Sequence, residues 1–218
     1  MFVHSPSSLS LMPSTQQAKA MAFLMVTRFS KATWQENVDY RAKHSYPGCV
    51  YGTPRLIADY VEPDAPLIVL EMNLTTRKIE GAGLIRNRVS KKRARVYSNG
   101  DYNRFTYNTR YRLDKRDFPR DVRKIVGVVE KLIFYGKRHV TRGHGITRLP
   151  LYIQKHENLA AGSTLLNAFR RRFPDAPLDT AGWPQLIPDD PALLAARGAA
   201  DRPTTATERE QEQNSSSL

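Results

Sequence analysis

Two acidic side chains, Glu71 and Glu80, are the first candidates for chemistry in this sequence. A turn over Leu74 to Arg77 predicts that they lie close together on adjacent strands. Two neighbouring carboxylates can bind a divalent metal for phosphodiester hydrolysis or divide the roles of general acid and general base. Ion pairs with the abundant Arg and Lys side chains explain the same two residues without any ligand. We therefore expect neither a cofactor nor a bound metal.

A larger group of residues has the chemistry to bind phosphate. The 218-residue chain has a formal net charge of +13. From Arg77 to Arg148 there are 21 Lys and Arg against 6 Asp and Glu, whereas from Pro174 onwards 3 basic residues face 8 acidic ones. A basic body of this kind is typical of proteins that bind DNA or RNA. The predicted contacts to the nucleic-acid backbone are Arg86, Arg88, Lys91, Lys92, Arg93, Arg104, Arg110, Arg112, Lys137, Arg138, Arg142 and Arg148.

Aromatic residues near the basic segments can add base recognition. Trp34, Tyr46 and Tyr51 flank a predicted first helix and the short extended piece after it, and they are expected to converge with Asn73 on a pocket for one base. The alternative is that each aromatic side chain packs in the core.

The remaining reactive residue types carry less information. Cys49 is the single cysteine, which excludes an intramolecular disulfide and a cysteine-cluster zinc site and favours a reducing, intracellular setting. His139 and His144 lie five residues apart in a glycine-punctuated segment, a spacing that does not match a helical metal pair. We interpret them as polar loop residues. No apolar run approaches the length of a membrane span, and the charges lie mainly on predicted strands and loops without an exposed apolar helix face, so no membrane partner is expected.

The elements that must position these residues begin with a hairpin. Leu67 to Leu70 is a short, β-branched and apolar run that predicts a buried strand, and Lys78 to Arg86 is its expected partner. Gly81 and Gly83 remove side chains from one face of the second strand. This pattern favours a bulge, a sharp barrel bend or the close approach of a ligand or another backbone.

Strands and a helix are predicted on both sides of the hairpin. Ala22 to Arg28 predicts the first strand, and Ser30 is expected to cap a helix that ends near Lys43. Ser98 to Asp101 contains Asn-Gly, which favours a hairpin turn. Tyr102 to Leu113 alternates as one strand, with an apolar face of Phe105, Tyr107, Thr109, Tyr111 and Leu113 and a largely cationic face of Arg104, Thr106, Asn108, Arg110 and Arg112.

The strongest helical pattern covers 119–135, with Asp117 as its possible cap and Gly136 at its end. A further helix is expected over 158–173. The domain organisation predicted from these patterns is a disordered leader at 1–20, with Met21 as an alternative start, a β-barrel domain at 21–150, a helical extension at 151–173 and a disordered acidic tail at 174–218. The predicted fold class is α+β, a small mixed β-barrel with flanking helices.

Four stretches resemble a family of uncharacterised proteins from nucleocytoplasmic large DNA viruses of algae and amoebae: Val69 to Asn73, Lys78 to Asn87, Gly100 to Tyr107 and Phe134 to Gly145. The order of elements, with an apolar run, a turn and Ile-x-Gly-x-Gly, is also more distantly similar to the PUA-like superfamily, which includes EVE, ASCH and YTH domains. The resemblance implies a small pseudobarrel that recognises RNA or a modified base in DNA, with the base held near the first helix.

The expected function is therefore a viral nucleic-acid-binding domain without catalytic activity, which contacts phosphates through a basic face and a base through the aromatic pocket. Two alternatives stay open at this point. One is a nucleic-acid-processing enzyme, either a metal-dependent nuclease or a base-modifying hydrolase, that uses Glu71 and Glu80. The other is a basic structural protein of the virion.

Overall fold

The computed structural model describes residues 23–135, 139–154 and 160–176. The predicted leader, the tail from residue 177 onwards and residues 136–138, which include Lys137 and Arg138, lie outside these ranges. The strands are β1 (Phe23–Phe29), β2 (Cys49–Thr53), β3 (Pro66–Asn73), β4 (Lys78–Arg86), β5 (Phe105–Thr109), β6 (Arg112–Asp114) and β7 (Thr147–Arg148), and the helices are α1 (Lys31–Lys43), α2 (Arg120–Phe134), α3 (Leu151–Gln154) and α4 (Ala161–Arg172).

Five of the strands form one mixed sheet in the order β6-β4-β3-β1-β7. Strands β1 and β3 are parallel, and the other neighbours are antiparallel. Strands β2 and β5 form a separate antiparallel pair. The α+β class predicted from the sequence is confirmed. Closure into a barrel is not observed among the described strands, since β6 and β7 end the sheet without pairing with each other.

The five-stranded sheet is buried on both faces, so the molecule has three layers. One face packs against α2 and α4, whose apolar side chains share a core with Leu24, Ile68 and Leu84. The other face is covered by the β2–β5 pair, with Tyr51 and Tyr107 in the second core. Burial on both faces explains why β3 is apolar along most of its length instead of alternating.

The glycines of β4 allow the second sheet to come close. Strand β3 has one residue, Glu71, where β4 has two, Glu80 and Gly81, so the register shifts at this point. A Cβ atom placed on Gly83 would collide with Cys49 Sγ and Tyr51 Oη. The predicted bulge is therefore confirmed, and the groups that come close to Gly83 are side chains of the chain's own β2 strand.

Helix α1 follows the prediction closely. The Ser30 side chain accepts a hydrogen bond from Thr33 N, and the Thr33 hydroxyl accepts one from Ser30 N, which completes a reciprocal cap. Helix α2 begins at Arg120, close to the predicted start at Pro119, but its cap is Pro119 and not Asp117, which lies in a 3₁₀ turn at Lys115–Asp117. Proline is favoured at a helix start because its φ is already helical and no amide hydrogen is lost there.

The single strand predicted over 102–113 is wrong. The chain forms β5 in the small sheet and then crosses to β6 in the large sheet, with the break at Arg110 and Tyr111. The Asn-Gly pair likewise does not close a hairpin, because Asn99 Oδ1 accepts from Asp101 N and starts a 3₁₀ turn at Gly100–Asn103. No continuous cationic face results, because residues beyond the break belong to another sheet.

Candidate nucleic-acid interface

Glu71 and Arg112 form an ion pair inside the protein. Arg112 Nη2 donates to Glu71 Oε2 at 2.7 Å and Arg112 Nε donates to Oε1 at 2.9 Å, while the side chains are 5% and 2% exposed. Tyr51 Oη also donates a hydrogen bond to Glu71 Oε1, at 2.9 Å. Burial by itself lowers the pKa of the Arg112 guanidinium, but the charge and hydrogen bonds of Glu71 outweigh burial and raise that pKa.

Glu80 has different partners. Thr76 Oγ1 donates to Glu80 Oε1 at 2.8 Å, and Lys115 Nζ pairs with the other carboxylate oxygen. No group of three or more metal-ligating side chains occurs within the described ranges. The two carboxylates predicted to act together are thus each bound by a separate cation, as the ion-pair interpretation of the sequence expects.

The structure brings together only part of the predicted base pocket. Trp34 packs edge-on against Phe29 at a centroid distance of 5.3 Å and, with Tyr46, lines an open groove of about 470 Å³. Tyr51 is buried, and its hydroxyl is used by Glu71. Asn73 Oδ1 accepts from two backbone amides of the turn after β3, so Asn73 stabilises the hairpin.

The basic residues that remain open to solvent gather beside β5. Ser90 N donates to Thr106 O at 2.7 Å, so the irregular segment after β4 runs along this strand. We define the basic edge by its cationic members, Arg86, Arg88, Lys91, Lys92, Arg93, Arg95 and Arg104. Within the described part of the chain, Lys91, Lys92, Arg93 and Arg95 are exposed and lie within ion-pair distance of no carboxylate. Four exposed cations on one short segment, with no carboxylate partner among the described residues, make this edge an attractive surface for polyanions.

The other members of the basic edge form surface ion pairs. Arg86 and Arg88 both contact Asp64, at 3.3 and 3.5 Å, and Arg104 contacts Asp101 at 3.2 Å. Such exposed pairs contribute little to stability and exchange readily for a stronger anion.

Three further predicted phosphate contacts lie elsewhere. Arg110 pairs with Asp175, and the Arg148 guanidinium lies over the Tyr60 ring at 4.3 Å. The Arg112 side chain is only 5% exposed, so its assignment as a backbone contact is wrong: its charge is held by Glu71 and does not reach the surface.

Two grooves lie along the basic edge. The first, of about 520 Å³, is lined by Arg86, Arg88 and Lys91 near the carboxyl end of β5. The second, of about 500 Å³, is lined by Arg93, Arg95 and Arg104 near the amino end of that strand. The two grooves place cations at both ends of β5, which matches a ligand that extends along the strand.

A third groove, of about 380 Å³, adjoins the second through the shared residue Tyr97. Arg28, Tyr102, Arg142 and His144 line it at the carboxyl end of β1, and we call it the Arg28 groove. Tyr102 Oη lies 3.3 Å from His144 Nδ1.

Arg28 is the half-buried cation at the base of this groove. Its Nε donates to Val140 O at 2.7 Å and its Nη1 donates to Thr147 Oγ1 at 2.9 Å. No carboxylate of the described residues pairs with it. Burial lowers the pKa of Arg28 to about 10, because the cation loses solvation without gaining a neighbouring negative charge.

Arg28, Tyr102 and His144 are the residues that sequence reasoning missed as a group. One signal was present: Arg28 stands near the end of a strand just before a helix cap, where side chains line the carboxyl edge of a sheet. Gly143 and Gly145 have φ values of 112° and 76°, so the loop that carries His144 needs glycine to turn over Arg28.

Comparison with protein-family models, curated proteins and solved structures gave no match. The resemblance to viral proteins and to PUA-like domains stays a prediction. None of the helices in the described ranges has the length and apolarity of a membrane span.

Proposed function

We propose that this protein binds nucleic acid, with the basic edge as its contact surface for the phosphate backbone. The observation that carries this proposal is the segment Lys91 to Arg95, whose four cations are exposed and have no carboxylate partner in the described structure. Cations placed close together repel one another, and a polyanion relieves that repulsion while it releases its own counterions.

The shape of the surface supports an extended ligand. The basic segment is hydrogen-bonded to β5, and β5 is paired with β2. The backbone that carries the cations is therefore held against the edge of the small sheet. The two grooves place cations at opposite ends of β5, an arrangement that suits successive phosphates of one nucleic-acid strand. These contacts are made to the backbone, so we expect weak sequence dependence from this edge alone.

Aromatic groups beside the edge supply the base contacts. Tyr102 is half-buried and lies next to Tyr97, which lines the second groove, with a centroid distance of 6.1 Å between their rings. Stacking of a base on Tyr102 would add affinity without selecting one base. In this proposal Tyr102 takes the role that the sequence assigned to Tyr51.

The alternative of a carboxylate-dependent nuclease loses its support. Glu71 is neutralised by Arg112 in the interior, and Glu80 is bound by Lys115. A carboxylate that already holds a buried guanidinium is a poor ligand for a metal, because the cation would have to be displaced into an apolar environment.

The PUA-like arrangement is part of the same proposal. The Ile-x-Gly-x-Gly pattern of β4 and its contact with β2 support it. We propose that the five-stranded sheet and the β2–β5 pair together correspond to the pseudobarrel.

The proposal is tested by neutralising charge at the basic edge. In the test variant, Lys91, Lys92 and Arg93 are replaced by Gln; in a matched control, the exposed α2 residues Arg120, Lys124 and Lys131 are replaced by Gln. Both variants lose three positive charges, but α2 packs on the opposite face of the large sheet.

Fluorescence anisotropy with single-stranded and duplex DNA and RNA reports the affinity of each variant. We expect the edge variant to bind at least about tenfold more weakly than the α2 variant at the same ionic strength. Equal losses in both variants would mean that total charge, and not this edge, determines binding.

A further inference from the structure

The Arg28 groove combines two cations with a concave shape. Arg28 is partly buried at its base and Arg142 is exposed at its rim, and no carboxylate of the described residues pairs with either. Removing an arginine from water without a counter-charge is unfavourable, so such a residue is stabilised when an anion enters beside it. The groove therefore has an unmet requirement for negative charge.

The loop over Arg28 adds to the enclosure. A Cβ atom on Gly143 would lie 3.5 Å from Arg28 Nη1, so the loop backbone passes directly over the guanidinium. The amino end of α1 is not what attracts an anion to this groove, because the Ser30 side chain already caps it. The attraction comes from the two guanidinium groups, which present donors in a fixed planar geometry suited to phosphate oxygens.

The charge and size of the groove distinguish between kinds of phosphate. An internal diester of a nucleic acid carries one negative charge, whereas a phosphate monoester carries about 1.5 to 2 at neutral pH. Two arginines match the monoester. The volume of about 380 Å³ is in the range of small-ligand pockets and accommodates a nucleotide-sized group.

We infer that the Arg28 groove binds a phosphate monoester at the end of a nucleic-acid strand, with Arg28 and Arg142 on the phosphate and the Tyr102–His144 pair against the terminal sugar or base. This inference rests on the proposed function, because the strand reaches the groove along the basic edge. The groove adjoins that edge at Tyr97, so the end of a nucleic-acid strand bound along the edge can reach Arg28.

The experiment compares internally labelled oligonucleotides of one sequence that carry a 5′-phosphate, a 3′-phosphate or only hydroxyl ends. We expect one phosphorylated end to bind about tenfold more tightly than the hydroxyl ends, as one charge-assisted contact provides. The exposed residue Arg142 is the first to change, since Arg142→Gln leaves the buried bonds of Arg28 in place. In this variant the affinity for the phosphorylated end should fall to about the affinity for hydroxyl ends, so the preference is lost.

The Lys91, Lys92 and Arg93 variant separates the two proposals. It should weaken binding of all three oligonucleotides by a similar factor and retain the ratio between phosphorylated and hydroxyl ends. If no oligonucleotide binds to the unchanged protein, the proposed function fails, and calorimetry with adenosine monophosphate against adenosine then tests the groove directly. Equal affinity for all ends, a preference that persists in Arg142→Gln, or equal binding of the nucleotide and the nucleoside would overturn the inference.

Discussion

The guanidinium of Arg112 donates hydrogen bonds of 2.7 and 2.9 Å to the carboxylate of Glu71 within the large sheet. These residues are 41 positions apart in the chain, and Tyr51 donates a further bond to the same carboxylate. The pair joins β3 and β6 of the large sheet, and Tyr51 connects it to the small sheet. We conclude that Glu71 has a structural role in this protein.

The first prediction concerns this ion pair. Arg112→Leu removes the cation and leaves the Glu71 charge buried, with Tyr51 as its one remaining side-chain donor among the described residues, so the free energy of unfolding should fall by about 3–5 kcal/mol. Urea denaturation measures the loss. The double change Glu71→Leu and Arg112→Leu should cost less than the sum of the two single changes. A loss below about 1 kcal/mol in Arg112→Leu would contradict a buried pair.

The second prediction concerns the contact between the two sheets. Gly83→Ala places a methyl group against Cys49 Sγ and Tyr51 Oη, so it should destabilise the protein by about 1–3 kcal/mol. Gly127→Ala in α2 is the matched control, because nothing lies within 4 Å of the added Cβ. The control should be neutral or stabilising by up to about 1 kcal/mol. Similar thermal shifts in both variants would show that β2 does not lie against Gly83.

The third prediction concerns the reactivity of Cys49. Burial, followed by the nearby Glu71 charge, raises the pKa of its thiol to about 12. At about pH 8 an ordinary cysteine alkylates readily, whereas this thiol should react with iodoacetamide only after unfolding. Mass spectrometry gives a clear result because the chain has one cysteine. Rapid alkylation of the folded protein would contradict the burial.

The fourth prediction concerns acid stability. Burial raises the pKa of Asp114, but hydrogen bonds from Arg116 and Arg112 outweigh it and lower this pKa from 3.8 to about 2. The folded state therefore binds this proton more weakly than the unfolded state. The stabilising contribution is complete above about pH 4 and is lost as the pH falls towards about 2.

The free energy of unfolding, measured by urea titration across that range, should depend less on pH in Asp114→Asn than in the unchanged protein. A change of the exposed Asp59 to Asn serves as the control. Identical pH profiles for the Asp114 variant and the unchanged protein would contradict the assignment.

Much of the local structure could be predicted from the sequence because the responsible signals are local. Ser30 and Thr33 specify the start of α1 within three residues, and the β3–β4 hairpin follows from two apolar runs and a turn. The helix expected over 158–173 is observed as Ala161–Arg172. Each of these depends on neighbours in the chain.

The site could be predicted less well because its geometry depends on distant residues. Alternation continues through Arg110 and Tyr111, so periodicity gives no sign that the chain changes sheets there. Arg112 is the same residue type as the exposed arginines around it, and it is buried only because Glu71 lies opposite. The Arg28 groove likewise joins β1 to a loop more than one hundred residues later, at a distance of 112 positions for the Arg28–Val140 bond.

The most direct test of the central claim is the salt dependence of nucleic-acid binding, measured from about 50 to about 200 mM salt. We predict that the logarithm of the affinity falls steeply and linearly with the logarithm of the salt concentration. The slope of this log–log plot should be shallower by about two to three for the Lys91, Lys92 and Arg93 variant than for the α2 control. Weak binding that does not change with salt, or the same slope in both variants, would contradict the account.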